Sequence, residues 1–199
     1  MPNTTNYSFP TPADTDLVKN GADAIRDLGD AVDTAMNTAL GTKKAGMVLL
    51  NTTSFSGVAS QSVSDVFSST YDNYRILINA TSFTGTLTMR FRVSGADNST
   101  SNYKMNTYGT GLWTTSVYSG YQESGSTLFN ILGEASPTSL SLDILNPFAT
   151  QKTFLHGHTS QNDRGRAYQG LFDATTSFTG FTLLATSVTG NVSVYGYNK

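Results

Sequence analysis

Cysteine is absent from the 199 residues, which excludes disulfides, thiolate metal sites and a cysteine nucleophile. Charge is scarce as well: Asp, Glu, Lys and Arg make up 13% of the chain, the net charge is −2, and no run of Lys and Arg forms a basic stripe. Holding nucleic acid by neutralising its phosphates needs such a stripe, so no nucleic-acid partner is expected. No apolar run approaches the ~18 residues of a membrane span, so no membrane insertion is expected. The opening MPNTTNYSFP carries neither the basic nor the apolar region of a secretion signal, and none is expected. What the chain has in quantity is Ser, Thr, Gly, Asn and Tyr. Such a composition suits an extracellular or virion β-protein better than a cytosolic enzyme.

One stretch departs from this texture. Between Thr11 and Gly41, apolar residues recur at helical spacing: Val18, Ile25, Leu28, Val32, Ala35 and Ala39 form a seam with three- and four-residue steps, the pattern of a thin coiled-coil stripe. Thr11, Pro12 and Asp14 read as an N-terminal cap, and Gly41 followed by Lys43 and Lys44 as a stop. Asn20-Gly21 is a point where the helix can divide into two pieces. Small residues at 21, 35 and 39 bury little area, so the helix is marginal alone and needs a partner. That partner is either the chain's own β-domain or copies of the same helix. The outer face is acidic through Asp23, Asp27, Asp30 and Asp33, with Arg26 spaced to pair with Asp23 and Asp30. Ahead of it, residues 1–10 read as an extended arm in which Tyr7 and Phe9 can anchor in a neighbouring subunit.

From Gly46 onward the period changes to two. Tyr74, Ile76 and Ile78 alternate with Arg75, Leu77 and Asn79; Leu87, Met89, Phe91 and Val93 alternate with Thr86, Thr88, Arg90 and Arg92. Leu140, Leu142 and Ile144 repeat the pattern, as do Phe181, Leu183 and Ala185, and a last strand carries Val192 and Val194. Further strands are expected at Met47–Leu50, Val63–Phe67, Ser116–Tyr121, Leu128–Leu132, Thr153–His158 and Ala167–Phe172. Eight to ten short strands with Gly-, Ser-, Asn- and Asp-rich turns predict an antiparallel β-sandwich, jelly-roll-like, with an open barrel as the second choice. The expected fold is therefore mainly β: an extended arm and helix over residues 1–45, then a β-domain over 46–199. A motif recurs at Thr53–Gly57, Thr81–Gly85 and Thr176–Gly180, reading T-S-F-S/T-G. The expectation is three strand corners with Phe inward and Gly at the turn.

The segment NYSFPTPADTDLVKNGADAIRDLG, Asn6 to Gly29, resembles one common at the amino terminus of bacteriophage structural proteins, where an aromatic precedes TPADTD-LVKDGA and AIRTLG. Val66–Arg75 (VFSSTYDNYR), Arg90–Arg92 (RFR), Asn146–Thr150 (NPFAT), Gly180–Leu183 (GFTL) and Val194–Lys199 (VYGYNK) are similar to stretches in tail-fibre-like and head-decoration-like phage β-domains. The resemblance covers most of the chain. It implies a virion protein assembled in the host cytoplasm, a homotrimer with an N-terminal attachment segment and an outer β-rich domain.

Candidate chemistry is sparse. His156 and His158 are the two histidines; on a strand they point to one face, and three copies about a threefold axis could supply six imidazoles to a metal, with Asp163 behind them. The alternative is two surface histidines on a strand, since spacing fixes no further ligand, and no metal or cofactor is expected. No G-x-S-x-G elbow is present, and nothing in the spacing brings together an acid pair from Glu123, Glu134, Asp143 and Asp173, so no enzymatic activity is expected. Tyr103, Tyr108, Trp113, Tyr118 and Tyr121 lie among glycines and offer aromatic contact area for a partner or host-surface glycan, or else fill the core. The reading reached from the sequence is a non-enzymatic tail-fibre-type appendage that docks on other virion proteins through Tyr7, Phe9, Val18, Ile25, Leu28 and Val32. The second reading is a capsid decoration, or cement, protein clamping neighbouring subunits.

Overall fold

The computed structural model describes residues 4–5, 8–11, 17, 20–41, 46–111, 117–132, 138–161 and 164–198. Strands hold 61% of the described residues and helix 13%, which makes the fold mainly β. The chain divides into two compact units, Met1–Gly46 and Met47–Tyr197.

In the first unit, helix α1 spans Gly21–Met36 and continues as a single π-helical turn over Asn37–Gly41. The described α-helix begins at Gly21, at the Asn20-Gly21 step where the sequence allows the helix to divide. The expected piece from Thr11 falls mostly on residues outside the described part. Asn20 occupies the N-cap without a side-chain capping bond, and its N–H bonds the Leu17 carbonyl at 2.8 Å, a turn that precedes α1. Residues 12–16 and 18–19, and with them Val18, lie outside the described residues, as do Tyr7, Lys43 and Lys44. The helical run ends at Gly41. Arg26 pairs with Asp23 one turn away. Phe9 is half-buried in a tight turn where its N–H bonds Thr4 Oγ1 at 3.0 Å and its carbonyl accepts from the Thr4 N–H at 2.9 Å.

The second unit is one large antiparallel sheet, curled into a half-barrel and compatible with a β-sandwich. Its described strands are β1 (Met47–Val63), β2 (Asn73–Thr84), β3 (Leu87–Val93), β4 (Ala96–Asp97), β5 (Tyr103–Gly111), β6 (Val117–Ser126), β7 (Phe129–Leu132), β8 (Thr138–Leu145), β9 (Thr153–Gln161), β10 (Arg164–Phe172) and β11 (Gly180–Tyr197). The spine is β11. Strand β1 follows one edge of it from Met47↔Tyr197 to Val63↔Phe181. The other edge takes β2 against Gly196–Ser187 and then β3 against Leu184–Gly180. From β2 the sheet continues through β8, β9, β10, β5 and β6; from β3 it carries β7 and β4.

The sheet curls where the long strands are irregular. Gly57 in β1 (φ +64°) and Gly85 between β2 and β3 (φ +77°) adopt left-handed backbone, and the β1 register shifts on both sides of Val58. Extra residues of this kind bend a strand and increase its twist. Thr189 of β11 ties the two corners: its hydroxyl accepts from the Gly57 N–H at 2.9 Å, and its carbonyl accepts from Thr81 Oγ1 at 3.2 Å. Two copies of the T-S-F-S/T-G motif therefore flank one bend. In the third, Gly180 is not a turn; a Cβ there would lie 2.2 Å from the Val63 carbonyl oxygen. Phe55, Phe83 and Phe178 are all buried.

The concave side is filled by the residues that alternation predicts: Tyr74, Ile76 and Ile78; Leu87, Met89 and Phe91; Leu140, Leu142 and Ile144; Val192 and Val194. At its centre Phe91 stacks on Phe178 (4.6 Å between centroids) and meets Phe129 edge-on at 5.5 Å. The expected separate strands Met47–Leu50 and Val63–Phe67 are corrected to the single seventeen-residue β1. The Ser/Thr-rich run joining them pairs with β11 on one side only among the described residues, so it needs no two-sided apolar pattern. Phe67 is buried beyond the strand end, its N–H bonded to the Thr179 carbonyl at 3.1 Å.

Candidate functional site

Because the side-chain period of a strand is two, the residues that alternate with the core all point outward, and cross-strand pairing sets them in rows. One row crosses six strands: Arg75 (β2), Asp143 (β8), His156 (β9), Gln169 (β10), Asn106 (β5) and Gln122 (β6). Neighbours in such a row are about 4.8 Å apart.

The charged end of the row is self-contained. Arg75 donates from Nε to Asp143 Oδ1 at 2.8 Å and from a terminal nitrogen to Oδ2 at 2.6 Å. The Tyr197 hydroxyl donates to Asp143 Oδ1 at 2.6 Å, and the guanidinium carbon lies 5.8 Å from the Tyr197 ring centroid. Burial pushes the Asp143 carboxyl upward, but the bonds from Arg75 and Tyr197 outweigh it and hold the group below the usual carboxylate range. The bond to Asp143 raises Arg75 further. For Tyr197, burial and the bond to Asp143 both push the phenol up. His156 Nε2 stands 3.6 Å from Asp143 Oδ2, too long for a hydrogen bond.

The rest of the row, His156 and three amides, forms the floor of an open groove of about 680 Å³ across β9, β10, β5 and β6. Phe154, from the adjoining row, borders it with 46% of its surface exposed. Lys104 lies along the same border and pairs with Asp173, which also receives Lys152. These two ammonium groups hold the Asp173 carboxyl down at about 2. On the other side of the row stand Ser141, His158, Ala167 and Tyr108. His158, Tyr108 and Ser160 line a second hollow there. On the core-facing side of β6, opposite Met105, Glu123 keeps one carboxylate oxygen buried with no hydrogen-bond partner among the described residues.

The aromatic candidates separate. Tyr103 is corrected from surface to core: it is 0% exposed, packs edge-on against Phe129 and Phe172 at 4.9 Å, and is fixed by two hydrogen bonds. Its hydroxyl accepts from the Phe91 N–H at 3.1 Å and donates to the Asn98 carbonyl at 2.8 Å. The reason is its phase on β5, which it shares with Met105 and Thr107 on the inner face. Tyr108, one step out of phase, is 58% exposed. Trp113 lies outside the described residues; Tyr118 and Tyr121 sit opposite Gly109 and Thr107 on β6, and their side chains lie outside the described part.

His156 and His158 do share the outward face of β9, and both are exposed. Among the described residues no three His, Asp or Glu side chains converge as a metal cluster; Asp163 and Glu134 lie outside those residues. Of the attachment candidates, Ile25 is 70% exposed while Leu28 and Val32 are half-buried. Sequence reasoning missed Phe154, Asn106, Gln122 and Gln169. The alternation that pairs His156 with His158 puts Phe154 on the same face, but the amides come together only through the register of three strands.

Comparison with protein-family models finds no match to the chain, and comparison with curated proteins finds none either.

Proposed function

We propose that this chain is a non-enzymatic bacteriophage virion protein, a homotrimeric tail-fibre-type appendage. Its N-terminal segment docks on the particle, and its β-domain meets the host surface. The observation that carries the reading is the contrast between the two units. The β-unit gathers most of its large apolar side chains into one continuous core and leaves a few, such as Leu49 and Phe154, singly exposed. By contrast, α1 buries only Ala24 among its described residues and leaves Ile25 and Met36 largely exposed and Leu28 and Val32 half-covered. A helix with an open apolar seam gains its stability from association, and a threefold bundle of such helices is what the phage-like amino terminus leads one to expect.

The test combines solution mass and placement on the particle. Light scattering on the purified chain is expected to give a trimer, and Ile25→Asp to shift it toward monomer with the β-unit still folded. Labelled antibody is expected to mark the tail at low copy number. A monomeric wild-type protein overturns the trimer. Hundreds of copies spread over the capsid replace the appendage with the cement role.

A further inference from the structure

The outward groove has a composition that the proposed function does not by itself require. Its floor is a cross-strand run of three amides and an imidazole, Gln122, Asn106, Gln169 and His156. Each amide offers donors and an acceptor on one planar group. Of the charged side chains near it, Lys104 is engaged by Asp173 and Asp143 by Arg75 and Tyr197, while Glu123, which also borders the groove, turns to the core-facing side of β6. Two aromatic rings stand exposed in the rows on either side, Phe154 and Tyr108. We infer that this face of β9, β10, β5 and β6 binds a neutral saccharide.

The chemistry of the ligand follows from that of the floor. A sugar ring presents hydroxyls that donate and accept at once, so amides satisfy it where a lone cation or carboxylate satisfies only half. Its C–H faces are apolar and lie flat on an aromatic ring, which has an apolar body to offer at small entropic cost. The spacing of strands, about 4.8 Å, is close to the length one pyranose adds to an extended glycan, so successive amides meet successive sugars. The groove volume of about 680 Å³ falls within the range of small-ligand sites and suits a short oligosaccharide lying open to solvent. The three floor amides carry no charge, and Lys104 at the border is held by Asp173, so the floor offers no counter-ion to a sialylated or sulfated glycan. The row is carried on paired strands, so little ordering is lost on binding. This inference rests on the reading of the β-domain as the host-contacting part.

The experiment uses the full chain on an array of neutral hexose and N-acetylhexosamine oligosaccharides, with sialylated and sulfated sets alongside. Retention on neutral glycans is expected. Asn106→Ala, Gln169→Ala and Phe154→Ala are each expected to weaken it roughly tenfold, the effect of one lost contact, with thermal unfolding unchanged. Leu77→Ala, on the same outward face but away from the groove, is expected to bind as wild type. Failure to bind any neutral glycan, preference for the charged sets, or variants that bind like wild type overturn the inference. So does dissociation of the oligomer by the same substitutions, which would make the face a subunit contact. Antibody labelling of virions separates the two readings: labelled particles without glycan binding remove the groove alone, and glycan binding without labelled particles removes the virion role alone.

Discussion

Arg75 and Asp143 stand directly opposite each other on β2 and β8 and are joined by two hydrogen bonds of 2.8 and 2.6 Å. Tyr197 reaches over from β11 to the same carboxylate, so one side chain ties three strands. The carboxylate is well covered, while the guanidinium is about a third open to water, which discounts the pair toward the value of a surface bridge. Asp143→Ala is expected to lower unfolding stability by about 1–2 kcal/mol. Urea denaturation of the single variants and of Arg75→Met/Asp143→Ala should give a positive coupling energy. Strict additivity would mean the pair contributes nothing.

Acid should weaken the β-unit in a defined window. Asp143 and Asp173 are both held below the usual carboxylate range, Asp173 down at about 2. A depressed carboxylate contributes stability above its unfolded value of ~3.9 and loses it as pH falls through the folded value. Melting temperature is therefore expected to drop between about pH 4 and pH 2, and Asp173→Asn to flatten part of that fall. A melting curve insensitive to Asp173→Asn in this window contradicts the assignment.

Tyr103 tests core against surface. Tyr103→Phe keeps the ring but leaves the Phe91 N–H and the Asn98 carbonyl without their partner. The expected cost is about 1–2 kcal/mol. Phe91→Ala, at the centre of the aromatic cluster, should cost about 3–5 kcal/mol. Equilibrium denaturation measures both; unchanged stability in Tyr103→Phe would contradict the buried bonds.

Two glycines separate strain from crowding. Gly57 has left-handed backbone but open space around it, so Gly57→Ala pays only for φ, about 1 kcal/mol. Gly157 has room for no Cβ: one would lie 2.1 Å from the Ser141 carbonyl oxygen, which belongs to the backbone of the adjoining strand. Gly157→Ala should cost the larger amount, about 3 kcal/mol. Thermal unfolding that ranks the two the other way would contradict this.

The inward-facing residues of β2, β3, β8 and the end of β11 were legible because period-two alternation is a local property and burial follows it. The length of β1 was not. Its sequence NTTSFSGVASQS carries no apolar alternation, and only the presence of β11 beside it makes a strand of it. The start of the described α1 was legible only as a point where the helix can divide, at Asn20-Gly21. Local signals do not rank that step and its preceding turn at Leu17–Asn20 against continuation from Thr11, whose following residues lie outside the described part.

Composition and periodicity alone determined that this protein is a β-rich chain led by one amphipathic helix, and which side chains of its clearest strands turn inward. That information is local, since each residue's phase on its strand fixes its face. Only the tertiary structure decided that Tyr103 is core while Tyr108 is surface, and that Gln122, Asn106, Gln169 and His156 stand in one row. Those facts depend on register between strands distant in sequence, which is set by the packing of the whole sheet and by the bends at Gly57 and Gly85.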